Sequence, residues 1–329
     1  MKVKLFDAAA EDAEIDFGLD EVARSGRYVD GPERDEFEYE FAQYLGAKYV
    51  VSVNSGTDAL EAAIRAETSA AARCCVTCVI PSNTFRGTES AVRNAGISRV
   101  YGEVDADGLL TIDASSRSAQ HGYPVVSVDL CGHSCSAPGF VPEWIVHDCC
   151  QSLFFYEDGP CAYSFHPTKP LGGYGTGGAV ATNNPRVAEF VRQWRWHGAR
   201  GGRNSRLPEV QARVLRRKLP LAEGRAKRRR QIALRYIELL TEFETPRDVV
   251  SYWHTFPLKL QGAARRADLA AYLNAQGVET KPAYFSLHPL AADWADRVLY
   301  LPVHTALTDD QVEYVAQCCN SWRTEIDSP

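Results

Sequence analysis

The sequence has no apolar run approaching the roughly 20 residues that a membrane-spanning helix needs. Its charged start, MKVKLFDAAAEDAE, lacks the apolar core of a signal peptide, so a cytoplasmic location is the expectation. Basic excess is missing as well. Lys and Arg total 36 against 42 Asp and Glu, a formal net charge of −6, so no global positive field invites nucleic acid or an anionic membrane. The local run Arg225, Lys227, Arg228, Arg229, Arg230 stands beside IALRYIELL and reads as the solvated face of a helix. Metal-ligand spacing is scarce. Cys75 and Cys78 form a CxxC that runs into the apolar VTCVI, but no second CxxC or HxxxH follows, and cysteine there behaves as a small hydrophobe. Ten cysteines in 329 residues do not make a short secreted disulfide scaffold. Internal repeats and low-complexity linkers are absent. No glycine-rich loop ends in GK[ST], and the one glycine-rich turn leads into the strand-like AVATN rather than a helix, which excludes a Walker A loop and a Rossmann fingerprint.

What is present suits a globular protein. A 45% hydrophobic, 24% charged chain of this length buries a sizeable core and predicts about two domains. After an amphipathic helix over 35–45, short β-rich runs alternate with helical stretches. YVVSV (49–53) precedes a helix near 58–66, and VTCVI (76–80) precedes one near 86–94. PVVSVDL (124–130), WIVHD (144–148), AYSF (162–165) and GAVATN (178–183) follow. Continuous apolar runs between helices predict an α/β fold whose large domain holds a mostly parallel sheet covered by helices. The pattern turns long-helical around 207–240, with a break at Leu219-Pro220. A smaller α+β domain is expected from there: residues 1–225 form the large domain, about the first 15 packing on the small one, and 226–329 form the small domain.

Three motifs carry chemistry. Asn54-Ser55-Gly56-Thr57 lies between a strand and a helix, where free amides at the positive end of a helix dipole bind phosphate. A plain N-cap by Ser55 or Thr57 is the alternative. Asp148 ends WIVHD. A carboxylate at the C-terminal end of a buried strand faces the ligand crevice and needs a cationic partner, such as a protonated pyridine nitrogen; a helix cap or an ion pair is the alternative. Lys169 stands in SFHPTKPLGGYGTGG, after a strand and before glycines that permit close backbone approach. A lysine held in a pocket loses basicity and becomes a nucleophile toward carbonyls. The order of the three, phosphate turn, acidic strand end, then lysine, points further than any one of them.

With these residues in that order, the sequence resembles the DegT/StrS family of pyridoxal-5′-phosphate (PLP) sugar aminotransferases, which have the aspartate-aminotransferase type of fold. SGRYVDGPERDEFEYEFAQYLGAKYVVSVNSGTDALEAAIRA, PSNTFRGTESAV, HDCCQS and SFHPTKPLGGYGTGGAVATNN are similar to the family's successive blocks. NSRLPEVQARVLRRKL, LNAQGVETKPAYFSLH and LYLPVHTALTDDQV resemble the later ones, so the likeness runs through nearly the whole chain. The resemblance implies that Lys169 carries the Schiff base and moves the proton, and that Asp148 keeps the pyridine nitrogen protonated. It implies that Gln151 contacts the phenolic oxygen, that Ser55, Gly56, Thr57 and Ser164 hold the phosphate, and that Phe85 stacks on the ring. Asn204 would reach the phosphate of the neighbouring subunit, so a homodimer with shared sites is implied.

The implied reaction moves an amino group from glutamate or glutamine to a keto-sugar, nucleotide-linked, in amino-sugar or antibiotic biosynthesis. A smaller cyclic ketone such as a cyclitol, or a non-catalytic PLP-binding regulator, are the alternatives. Related C3 dehydratases carry histidine in place of the lysine, and here Lys169 is present. The chain departs from the family pattern in a condensed 106–124 segment and in the short PLAADWADRVLY stretch, which tells against a bulky nucleotide sugar. Thr176 replaces an acidic residue of the glycine turn. Arg86 stands where an aliphatic residue is usual, open to an acidic group or simply to solvent.

Overall fold

The computed structural model describes residues 1–70, 77–112, 115, 117–135, 140–197, 202–246, 250–284 and 286–327. Cys74 and Cys75 lie outside the described residues, and Cys78 is buried in the core.

Eight strands form the main sheet: β1 (Tyr49–Val53), β2 (Thr77–Pro81), β3 (Ser98–Val104), β4 (Leu110–Thr111), β5 (Val125–Val128), β6 (Ile145–Asp148), β7 (Cys161–Ser164) and β8 (Gly178–Thr182). Their order is β1-β8-β7-β6-β5-β2-β3-β4. The β3-β2-β5-β6-β7 run is parallel, whereas β8 is antiparallel to both β7 and β1, and β4 is antiparallel to β3. The sheet is mostly parallel, and β8 is its inner exception. Its reason is the connection: the chain returns from β7 through the glycine turn with no helix, and without a crossover element a neighbouring strand pairs antiparallel. Two reversals restore direction, so β1 again runs with β7.

Both faces are covered, which is why the strands read as continuous apolar runs. Val51, Val53, Val126, Val146, Ala162 and Val180 pack on one face under helices Gly56–Ala70, Arg86–Asn94 and Pro185–Trp194. Val50, Cys161, Tyr163, Ala179 and Ala181 point the other way, the period of two expected of a strand. There they meet helix Pro32–Leu45, which starts on Pro32 and stops at Gly46, whose φ of 72° admits glycine readily. Its Phe37 and Phe41, one turn apart, stack 5.5 Å from each other, and both make T-shaped contacts with Phe165. That aromatic cluster anchors the loop that carries Lys169.

A second body holds strands β9 (Phe256–Lys259), β10 (Lys281–Pro282) and β11 (Val298–Leu301), in the order β10-β11-β9. Helices Ala222–Leu239, Ala263–Ala275 and Asp309–Asp327 pack with it around Leu258, Leu269, Leu299 and Val315. The break at Leu219-Pro220 is a 3-10 turn, and helix Ala222–Leu239 runs unbroken through residue 225. Val3 bridges to Val278 and is fully buried in this second core. The chain then crosses toward the large sheet, and a buried ion cluster seals the crossing. Asp12 accepts from Lys218 (2.8 Å) and Arg225 (2.9 Å), while Glu11 accepts from Thr305 (2.7 and 2.8 Å) and Arg229 (3.4 Å). The basic run is a solvated face only in part: Lys227 pairs with Glu223 and Arg228 with Asp309 near solvent, while Arg225 and Arg229 turn into the buried cluster, because Asp12 and Glu11 offer them carboxylates there. Among the described residues no helix is long and apolar enough to cross a membrane.

Candidate active site

Because β1, β2, β5, β6 and β7 run in one direction, their C-terminal ends share an edge of the sheet, where open α/β sheets bind ligands. A cavity of about 510 Å³ opens there, against the three-stranded sheet. Ser55, Gly56, Thr57, Phe85, Asp148, Gln151, Ser164 and Lys169 all line it, so the structure brings together eight of the nine residues singled out from sequence. Asn204 does not line it. It is exposed, its carboxamide oxygen accepting from Arg206 at 3.0 and 3.1 Å. Thr176 lines the cavity, whereas Arg86 is exposed and outside the lining.

The phosphate turn is built tightly. Ser55 Oγ accepts the Asp58 N–H at 3.1 Å, and the Ser55 carbonyl accepts from Ala59. The Gly56 and Thr57 amides donate to nothing among the described residues, and they stand at the positive end of a 15-residue helix. Glycine is required at 56. A β-carbon there would sit 2.7 Å from Ser164 Cβ and 2.8 Å from Cys150 Sγ. At Gly87 a β-carbon would meet the Phe85 ring and Thr57 Oγ1, both at 2.9 Å. Ser205, next to Asn204, braces the turn from behind: its hydroxyl accepts the Asn54 N–H (3.0 Å) and donates to Asp58 (2.6 Å).

Asp148 is buried and makes no ion pair among the described residues. Thr88 Oγ1 donates to its Oδ2 at 2.8 Å, Thr84 backs Thr88 at 2.8 Å, and the Cys150 amide reaches Oδ1 at 3.2 Å. A buried carboxylate held by neutral donors alone remains able to take a cationic partner. Gln151 gives its oxygen to the Cys131 amide (2.9 Å), which leaves the NH₂ end as a donor toward the cavity. Lys169 Nζ has no hydrogen bond or ion pair among the described residues. Burial pushes its pKa below the ordinary 10.5, with the Lys281 ammonium adding to the shift and Asp148 opposing it. Free helix amides, an unpaired buried acid and a weakened lysine amine match the phosphate, ring nitrogen and aldehyde of PLP, so the residues fit that cofactor.

The chain matches the DegT/DnrJ/EryC1/StrS aminotransferase family over residues 9–320. It belongs to that family. It is a PLP-dependent aminotransferase. It is 31% identical to the dTDP-3-amino-3,4,6-trideoxy-alpha-D-glucose transaminase of Streptomyces venezuelae, with 96% of this chain and 93% of that protein covered. It superposes on a DegT/DnrJ/EryC1/StrS aminotransferase from Brucella abortus with a TM-score of 0.87, at 28% identity over 97% of this chain and 98% of that one. It also superposes on DesV of S. venezuelae with a TM-score of 0.82, at 30% identity and with 98% of each chain covered. These relatives make the chain a sugar transaminase in the broad sense.

Sequence reasoning passed over several lining residues. Thr88 holds Asp148, and its signal was the Thr84–Thr88 spacing of one helical turn. Tyr284 (5.4 Å from the Phe85 ring), Lys281, His254, Thr255 and Tyr300 come from the small-sheet body, and Leu5 and Phe6 from the N-terminus. The quoted block LNAQGVETKPAYFSLH contained the first two, and LYLPVHTALTDDQV contained Tyr300, without singling them out.

Proposed function

We propose that this protein is a cytoplasmic enzyme that moves an amino group from glutamate or glutamine to a keto-sugar in amino-sugar biosynthesis, by alternating half-reactions at the cavity described above. The observation that carries the reading is the meeting of Asp148, unpaired and buried, with the unpaired Lys169 amine beside the open helix terminus at Gly56 and Thr57. PLP, when bound, supplies the aldehyde that takes the amino group and the ring that absorbs the electron pair released at the substrate carbon. The residues of the chain do the rest. Gly56, Thr57 and Ser164 hold the phosphate, Phe85 covers the ring, Gln151 donates to the phenolic oxygen, and Asp148 keeps the ring nitrogen protonated. Lys169, its basicity lowered by burial, takes the proton from the substrate carbon and returns it.

A homodimer with shared sites belongs to the same proposal. Asn204 is exposed on a segment clamped to the phosphate turn through Ser205–Asp58 and Arg203–Glu61 (2.8 Å). Trp196, bridged to Asn204, stands 55% exposed with Arg206 over its ring, a surface suited to a second copy. Mixed Lys169→Ala and Asn204→Ala subunits test it. The heterodimer carries one doubly damaged and one intact site, so activity should return to about half of the parental value. Heterodimers that form yet stay inactive would remove Asn204 from the partner's site.

The acceptor is tested by loading the protein with pyridoxamine phosphate and screening keto-sugars and cyclitol ketones for return of the PLP absorbance. A response to none, with no conversion of the PLP form by glutamate or glutamine, would favour a regulatory PLP-binding protein.

A further inference from the structure

Of the charged side chains lining the cavity, Asp148 and Lys169 have roles in the chemistry above, and Lys281 has none. Its position is set by backbone pairing: β10 puts Lys281 opposite Tyr300 of β11, itself a lining residue. Its ammonium lies 5.5 Å from the centroid of the Tyr284 ring, and Tyr284 in turn packs against Phe85. The aromatic face orients the cation without neutralising it. Lys281 makes no hydrogen bond or ion pair among the described residues, and its side chain is exposed to the cavity mouth. His166 lines the same mouth and is kept neutral at physiological pH. Burial lowers its pKa, and Lys169 and Lys281 add to the shift. The cavity thus sets the Lys281 ammonium and the Lys169 amine against one carboxylate, and the phosphate donors stand on the other wall, at Gly56, Thr57 and Ser164. A fixed, unpaired cation over an apolar ring at a cavity mouth is a receptor for an anion.

We propose that Lys281 binds an acidic group of the substrate, a carboxylate or a phosphate, as it enters over Lys169. The inference rests on the aminotransferase reading of the same cavity, and it makes Lys281 a specificity residue rather than part of the cofactor's seat. The acidic group can come from the amino donor or from the sugar acceptor, and two unreactive probes separate them. Glutarate stands for the donor, and a hexose 6-phosphate, measured against the free hexose, stands for the acceptor. Binding of each is followed on the PLP-loaded protein through the cofactor absorbance and on the apoprotein by calorimetry, for the parent, Lys281→Ala and Lys281→Arg.

Loss of one charge-assisted contact weakens binding roughly tenfold to a hundredfold. Lys281→Ala should therefore weaken one probe by that factor, Lys281→Arg should restore it to within a few-fold, and PLP retention and free-hexose binding should not move. A loss confined to glutarate assigns the group to the donor, and one confined to the hexose phosphate assigns it to the acceptor. Equal loss of PLP affinity would make Lys281 a phosphate ligand of the cofactor and overturn the proposal. So would unchanged binding of both probes, or binding of neither by the parent. Lys281-dependent glutarate binding in a protein that glutamate cannot convert would sink the aminotransferase reading and leave the anion site standing.

Discussion

The two walls of the cavity are built differently. The large-sheet wall is braced from behind, its open groups confined to the Gly56 and Thr57 amides, the Gln151 NH₂ and the Lys169 amine: Asp148 is held by Thr88 and the Cys150 amide, Gln151 by the Cys131 amide, and Gly56 is wedged against Ser164 and Cys150. The small-sheet wall is full of loose ends. Lys281 has no partner anion, His254 Nδ1 is buried without a hydrogen bond, and the Thr255 and Tyr300 hydroxyls sit beside the weakly polar Cys131 thiol. Buried polar groups cost stability unless satisfied, so a wall that leaves several open is one whose partners come with the ligand. The contrast assigns the rigid wall to a cofactor that never changes and the open wall to substrates that do.

The largest effect expected on the rigid wall is total. Lys169→Ala should abolish the borohydride-reducible link to PLP, read by mass spectrometry of the reduced protein. A pyridoxyl adduct on another lysine, Lys281 above all, would reverse the roles of the two walls. Asp148→Asn comes next. The variant should retain PLP, and its half-reaction with the donor should slow by about 100-fold or more, because the neutral amide no longer holds the ring nitrogen protonated. A rate within a few-fold of the parent would reduce Asp148 to a structural group.

Where the walls meet, the effect should be smaller and pH-dependent. Burial opposes ionisation of Glu11, but Arg229, Thr305 and Arg225 outweigh it and hold its pKa below the ordinary 4.5. Its contribution is therefore fully present above pH 4.5 and is lost as pH falls through the lower folded-state value. Glu11→Gln should cost about 1–3 kcal/mol near pH 7, and the gap to the parent should close in acid. Denaturant unfolding at pH 7 and at the acid end checks this; a gap independent of pH would detach Glu11 from the seam.

The rigid wall was also the legible one. Gly56, Asp148 and Lys169 sit at strand ends that the apolar runs mark directly, since residue type and position come from one short stretch of chain. The strands themselves were legible where they are buried on both faces. β3 was not, because most of SRVYGEV is partly exposed and lacks a continuous apolar run, and two-residue β4 leaves almost no pattern. The antiparallel place of β8 was hidden for another reason: strand direction depends on how the chain returns, not on strand composition. The open wall was harder still. Phe6, His254, Lys281 and Tyr300 are far apart in sequence, and only the packing of the N-terminus and the small sheet over the strand ends makes them neighbours.

The antiparallel return of β8 has a consequence for the handedness of the chemistry. The Lys169 loop leaves β7 at Ser164 and re-enters β8 at Gly178, and these two residues are paired with each other. Within the loop, Phe165 donates to Gly177 (2.8 Å), Gly173 to Phe165 (2.8 Å), Lys169 to His166 (2.8 Å), and Tyr174 to Gln211 Oε1 (2.8 Å). Such a bracket, cross-tied at its base, cannot carry the lysine around to the opposite face of the cavity; only the torsions of the side chain are free to swing. In the proposed role, Lys169 then hands its proton to the substrate carbon from one side throughout, and the mirror-image amine is disfavoured by where the tether is fastened.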